Sequence, residues 1–189
     1  MRKIFSAFLL SGLLALLVTS VSAQEKKTAE PPAPVQSPSQ ELLGAWNFIG
    51  GKVIAMAEDF PEDKYNFKAQ KDERTFGENL IHIASSEYLF MNLMTGGSAG
   101  SEDSVLKKNP TKADIVKFVK QAVADGAQLI KKQGDYGMSG EFKFPFGNMM
   151  VHNSYGWWTI LEHTGEHFGQ LVVYYRVNGM IPPESRPKK

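Results

Sequence analysis

The 189-residue sequence contains no cysteine. That absence excludes disulfides, thiolate metal ligands and a cysteine nucleophile, so a metal would have to be held by histidine and carboxylate, and a nucleophile is expected to be a metal-activated water. Histidine is scarce too, with four in the chain: His82, His152, His163 and His167. Charge of one sign is also missing, since 21 Lys and Arg stand against 20 Asp and Glu. Such a balance gives no support to a nucleic-acid or membrane-surface partner and leaves a small molecule as the expected one. Long apolar runs are limited to Ile4–Val18, interrupted only by Ser6, Ser11 and Gly12. Arg2 and Lys3 precede that run and Val21-Ser22-Ala23 follow it, the arrangement of a Sec-type signal peptide cleaved after Ala23 rather than a membrane span. No Cys follows the run, so the lipoprotein route is closed and the expected location is periplasmic or secreted.

Cleavage after Ala23 would leave 166 residues carrying 19 basic and 20 acidic side chains, enough chain for one domain with a substantial core. Residues 24–38 (QEKKTAEPPAPVQSP) are charged, Pro-rich and poor in large apolar groups, so they read as a flexible linker ahead of a domain at 39–189. The fold class expected is all-α, a four-helix bundle. The first helix runs from about Ser39, as N-cap, to Asp59, with Leu42, Trp46, Ile49, Val53, Met56 and Phe60 on one face. Gly50-Gly51 in its middle lowers helix propensity and points to close packing against a neighbour. Thr75-Phe-Gly-Glu78 is a capping box that opens the second helix, which is apolar on two sides and therefore central. After a long polar connection, Ser98 to Pro110, the third helix spans about Lys112 to Lys132 with one ordinary stripe, so it is expected to be a wall. Gly134 to Val151 is irregular, with Phe142, Phe144 and Phe146 alternating; it reads as a loop folding its aromatics over one end of the bundle, or as a lid. The fourth helix begins near Ser154 and is closed by Gly179, with Pro182-Pro183 forbidding continuation.

That fourth helix carries the chemistry. His163 and His167 are four residues apart, which puts two imidazoles on adjacent turns of one face, the usual way a helix offers two ligands to one metal. They fall just outside the edge of the apolar arc, where a ligand can face a bundle mouth. A third ligand must come from elsewhere: His82, on a buried side of the second helix, is favoured, and His152 is the rival. His163-Thr-Gly-Glu166-His167 also matches the inverted zinc-peptidase pattern. Peptidases of that type draw a further acidic ligand from far downstream, and only 22 residues follow His167, so that reading is set aside.

Thr75-Phe-Gly-Glu78-Asn-Leu-Ile-His82-Ile-Ala in the second helix and Trp158-Thr-Ile-Leu-Glu-His163-Thr-Gly-Glu-His167-Phe-Gly-Gln170-Leu in the fourth resemble the DinB superfamily of small four-helix bundles. So does the ending Tyr175-Arg176 with Asn178-Gly179-Met-Ile-Pro182-Pro183-Glu-Ser185-Arg186. The resemblance covers about Ser39 to Arg186. It implies parallel second and third helices and a metal site that maps onto His82, His163 and His167. Characterised members include metal-dependent thiol transferases and a thiol-using isomerase.

The expectation is therefore an exported DinB-like protein binding one divalent metal, zinc or nickel, through His82, His163 and His167. It would act as a metal-dependent hydrolase or transferase on a small molecule, with Glu166 or Tyr174 as weak candidates for proton transfer. The alternative is a non-catalytic metal- or ligand-binding bundle. A homodimer is also considered, because the Phe142–Phe146 aromatics look exposed.

Overall fold

The computed structural model describes residues 34–97, 104–105 and 108–187. The signal-peptide and most of the linker reading, and most of the connection at 98–110, lie outside those residues. Within the compact unit Val35–Lys189, four long helices are described: α1 Pro38–Asp59, α2 Phe76–Met94, α3 Lys112–Gly137 and α4 Asn153–Val177. Two short strands, β1 Glu141–Lys143 and β2 Met150–His152, pair antiparallel between α3 and α4 with Phe142 opposite Val151.

The helix starts follow from local chemistry. Thr75 and Glu78 satisfy each other's backbone N–H groups at 2.7 and 3.1 Å, and Thr111 with Asp114 does the same at 2.9 and 3.2 Å. The first helix starts earlier than the expected Ser39 cap. Ser37 is the N-cap, its N–H donating to Gln40 at 3.0 Å, and Pro38 occupies the first helical position. Proline fits there because that N–H would be unsatisfied anyway and its φ is already helical. The third helix runs beyond Lys132 to Gly137, broken by a non-helical Gly134 at φ 54°. At the end of α4, Gly179 takes φ 70° and the Gly179 and Met180 N–H groups return to Arg176 and Tyr175 carbonyls, which seals the helix.

Side-chain contacts set the directions. Ser39 meets Asp135 and Trp46 meets Val123, while Lys112 reaches Glu58 and Phe60, so α1 and α3 are antiparallel. Gly77 lies by Ile115 and Tyr88 bonds Asp125, so α2 and α3 run parallel. Asn79 pairs with Gln170, whereas Gly156 sits by Met94, so α2 and α4 are antiparallel.

The core has two parts. At one end Phe60 stacks on Phe76 with centroids 3.8 Å apart, and Tyr175 closes on Phe60 at 5.0 Å. Arg186 then clamps the Asp59 carboxylate with two bonds of 2.8 and 2.6 Å, tying the chain ending to α1. At the other end Trp46 meets Trp157 edge-on at 5.4 Å, and buried Phe142 and Phe144 from the hairpin fill the space beside Phe90. The segment expected to be a loop thus folds its aromatics over this end, as a hairpin.

Close approach explains one of the two adjacent glycines. A Cβ at Gly50 would lie 2.6 Å from Val123, but nothing lies within 4 Å of one at Gly51. Gly126 is tighter still, since a Cβ there would meet the Trp46 ring at 2.2 Å. Gly126→Ala should therefore lower stability by about 1–3 kcal/mol through overpacking, read as a drop in denaturant midpoint; an unchanged midpoint would show that the α1–α3 contact tolerates the methyl.

Glu87 is the anomaly of the core. It is 2% exposed, and its nearest hydrogen-bond partner is the Thr164 hydroxyl at 3.5 Å. Burial pushes its carboxyl up to about 8, only partly opposed by the Thr164 bond. The folded state holds this proton more tightly than the unfolded one, so its contribution is complete below about pH 4.5 and fades as pH rises through about 8. Glu87→Gln should remove that decline, seen by comparing chemical denaturation of variant and parent at pH 5 and pH 9.

Candidate metal centre

His82 comes from α2, and His163 and His167 come from adjacent turns of α4. The antiparallel packing of these two helices brings the three rings together. Ring centroids are 5.1 Å apart for His82 and His163, 4.7 Å for His82 and His167, and 4.4 Å for His163 and His167. One ring nitrogen from each lies within 4.8 Å of the others. The Nε2 atoms of His82 and His163 face each other at 3.2 Å. Two nitrogens bound tetrahedrally at zinc–nitrogen distances stand about 3.3 Å apart, so this spacing suits two ligands of one ion as well as it suits a hydrogen bond.

His167 is the most firmly oriented member. Its Nδ1 lies 2.8 Å from Asn79 Oδ1 and 2.9 Å from Gln170 Oε1. Both are amide oxygens and only accept, so Nδ1 carries the hydrogen and Nε2 is left with its lone pair. Asn79 also donates to Gln170 at 3.3 Å, closing a small network. Metal-binding histidines characteristically have the second nitrogen held in this way. Asn79 precedes His82 by three residues and Gln170 follows His167 by three, so each shares a helix face with a histidine. Both lie inside the motifs quoted above, and that i, i+3 spacing was the available signal for a role the sequence reading did not assign.

His152 is elsewhere. It is exposed, caps α4, and places Nδ1 3.0 Å from the Ser139 carbonyl oxygen. The group of three is completed by His82. The weak proton-transfer candidates sit at the margins: Glu166 is exposed, and the buried Tyr174 donates its hydroxyl to the Arg74 carbonyl. α3 contributes nothing to the three-histidine group. Two cavities flank it. One, about 300 Å³, is lined by His82 and His163 with Leu89, Phe90 and Phe146. The other, about 620 Å³, is lined by Lys68, Arg74, Glu78, Gln170 and Tyr174 among others.

The electrostatics favour neutral imidazoles. Burial is the main cause that pulls His163 down to about 4, helped by the neighbouring histidines and by Arg74; burial also lowers His167. Arg74, which the sequence reading passed over, therefore bears on both. Neutral rings are the form that ligates a metal. In the metal-free protein the sign is clear: a histidine whose folded value is depressed contributes stability that is present above about pH 6.5 and lost as pH falls toward about 4. Denaturation of chelator-treated protein in a Glu87→Gln background should show that acid loss, and His163→Asn should flatten it.

The comparisons agree with this architecture. The family model for the DinB superfamily matches residues 51–171. Among solved structures, the DinB-like protein YjoA of Bacillus subtilis is 21% identical, with a TM-score of 0.62, covering 78% of this chain and 99% of its own. YfiT of Bacillus subtilis, described as a probable metal-dependent hydrolase with an unusual four-helix bundle topology, is 13% identical with a TM-score of 0.59, covering 79% and 94%. No curated protein matches the sequence. With its four-helix bundle and the family match across most of the domain, the chain belongs to the DinB superfamily.

Proposed function

We propose that this protein binds one divalent metal ion, zinc or nickel, through His82, His163 and His167, and that it catalyses hydrolysis of a small molecule. The observation that carries the reading is the convergence of three imidazoles, one with its outer nitrogen fixed by Asn79, beside open cavities. The donor set fits such an ion, being all-nitrogen and three in number, the count that leaves a coordination position open. When bound, the metal supplies Lewis acidity and an acidified water.

The chain's own residues do the rest. Asn79 and Gln170 hold the His167 ring and its tautomer. Arg74, in a cavity it shares with Lys68, Asp72, Glu73 and Glu78, brings its charge near enough to lower His163 and His167. Tyr174 holds the Arg74 backbone, which makes it a positioning residue on this reading. The similarity to YfiT, described as a probable metal-dependent hydrolase, supports the same reaction class. The reading of residues 1–23 as a signal peptide supports an activity in the periplasm or outside the cell. Low-molecular-weight thiols would be scarce there, so hydrolysis is favoured over thiol transfer.

Two measurements test the assignment on the full chain. Zinc-loaded and dialysed protein should retain about one equivalent of metal by elemental analysis, and His82→Ala or His163→Ala should lose it; equal metal in parent and variants would falsify the site. Asn79→Ala should keep the metal but bind it about 10–100-fold more weakly in a competition titration with a chromophoric chelator.

A further inference from the structure

Phe146 sits in the segment joining the two strands, 69% exposed although it is a large aromatic. It is held by ring contacts to Phe90 at 6.4 Å and Phe144 at 5.7 Å. It borders the 300 Å³ cavity, whose other apolar walls are Leu89 and Phe90 from α2 and which the half-buried His82 and His163 also line. One continuous concave surface therefore runs from two of the three histidines onto three apolar side chains.

From this we infer that the cavity is the subsite for one aromatic or branched aliphatic group of the substrate, carried on an acyl compound whose carbonyl faces the histidines. The inference rests on the metal-site reading above and adds the substrate class. Its size fits: about 300 Å³ is at the small end of ligand sites, room for a ring or a short branched chain and not for a polymer. The lining chemistry fits too: Leu89, Phe90 and Phe146 give the cavity an apolar wall on which desolvating an apolar group is favourable, while Ser85, Ser86, Thr159 and Glu162 complete the lining. The polar part of the substrate has a separate place in the larger cavity, which reaches the histidines through Gln170, hydrogen-bonded to His167, and is lined by Lys68 and Arg74 together with Asp72, Glu73 and Glu78. An apolar arm on one side and a polar remainder on the other would orient the reacting carbonyl between them.

Hydroxamates test this, because the hydroxamate chelates a metal with an open position and the arm can be varied independently. Cobalt-loaded full-length protein is titrated with acetohydroxamate and with phenylacetohydroxamate, following the visible spectrum of the cobalt. The phenyl compound should bind at least roughly tenfold more tightly, since burying even one methylene discriminates by about that factor. Phe146→Ala and Leu89→Ala should each shrink the ratio severalfold, while metal content and acetohydroxamate affinity stay at parent values. A ratio near one, or a ratio that both variants leave intact, overturns the inference with the metal site still standing. If acetohydroxamate itself leaves the cobalt spectrum unchanged, the metal-site reading fails and this inference fails with it.

Discussion

The antiparallel register of α2 against α4 is the constraint on which the site depends. Asn79 opposite His167 and Gln170, Glu87 opposite Thr164 and Met94 beside Gly156 are successive rungs of one ladder. Sliding either helix by one turn, about 5.4 Å, would part His82 from His163 and leave Asn79 without its acceptor-to-donor contact. Both ends of the ladder are pinned. The Phe60–Phe76–Tyr175 stack and the Arg186–Asp59 pair fix the lower end, and the hairpin phenylalanines packed against Phe90 fix the upper. The aromatic cores thus hold the register that positions the imidazoles.

Holding three bases at such close range has an electrostatic consequence. Two protonated rings at these distances would repel strongly, and burial penalises charge further, so for His163 and His167 the neutral state is the stable one. Arg74 pushes the same way. Glu87, one turn further into the bundle, is the opposite case: an acid kept protonated by burial. Between α2 and α4, Glu87 is thus held protonated, and His163 and His167 are held in their neutral forms, near neutral pH.

The surroundings of the histidines are asymmetric. On one side the wall is apolar and partly built by the hairpin; on the other it is charged and built by the segment leading into α2. Tyr174 links that segment to α4 through the Arg74 carbonyl, so the charged wall is tied to the helix that carries His163 and His167. Such division between an apolar and a polar side is what a pocket needs to fix the orientation of a small molecule.

Much of this was legible in the amino-acid sequence, and the limits have physical causes. The Thr75–Glu78 and Thr111–Asp114 caps, the apolar stripes and the four-residue spacing of His163 and His167 are local, with a period of 3.6 residues, so they can be read without knowing what packs where. His82 was already favoured for its place on a buried side of the second helix, and the resemblance motifs added the parallel course of α2 and α3, which the helix contacts reproduce. Other features depend on partners remote in the chain. Gly50 is needed because Val123 lies against it, whereas adjacent Gly51 faces open space, and no local pattern distinguishes them. Asn79 reads as an ordinary polar residue until His167 is placed 2.8 Å away. Arg74 likewise gains a role only when its charge is brought near two histidines about ninety positions on. The sequence by itself determined the four helices, the capping boxes that open α2 and α3, and the residue types able to hold a metal, because those follow from near-neighbour chemistry. Only the tertiary structure decided which ring nitrogen of His167 is free, which side of the site is apolar, and that Phe146 stands beside the histidines, because each is a contact between segments that the chain order leaves far apart.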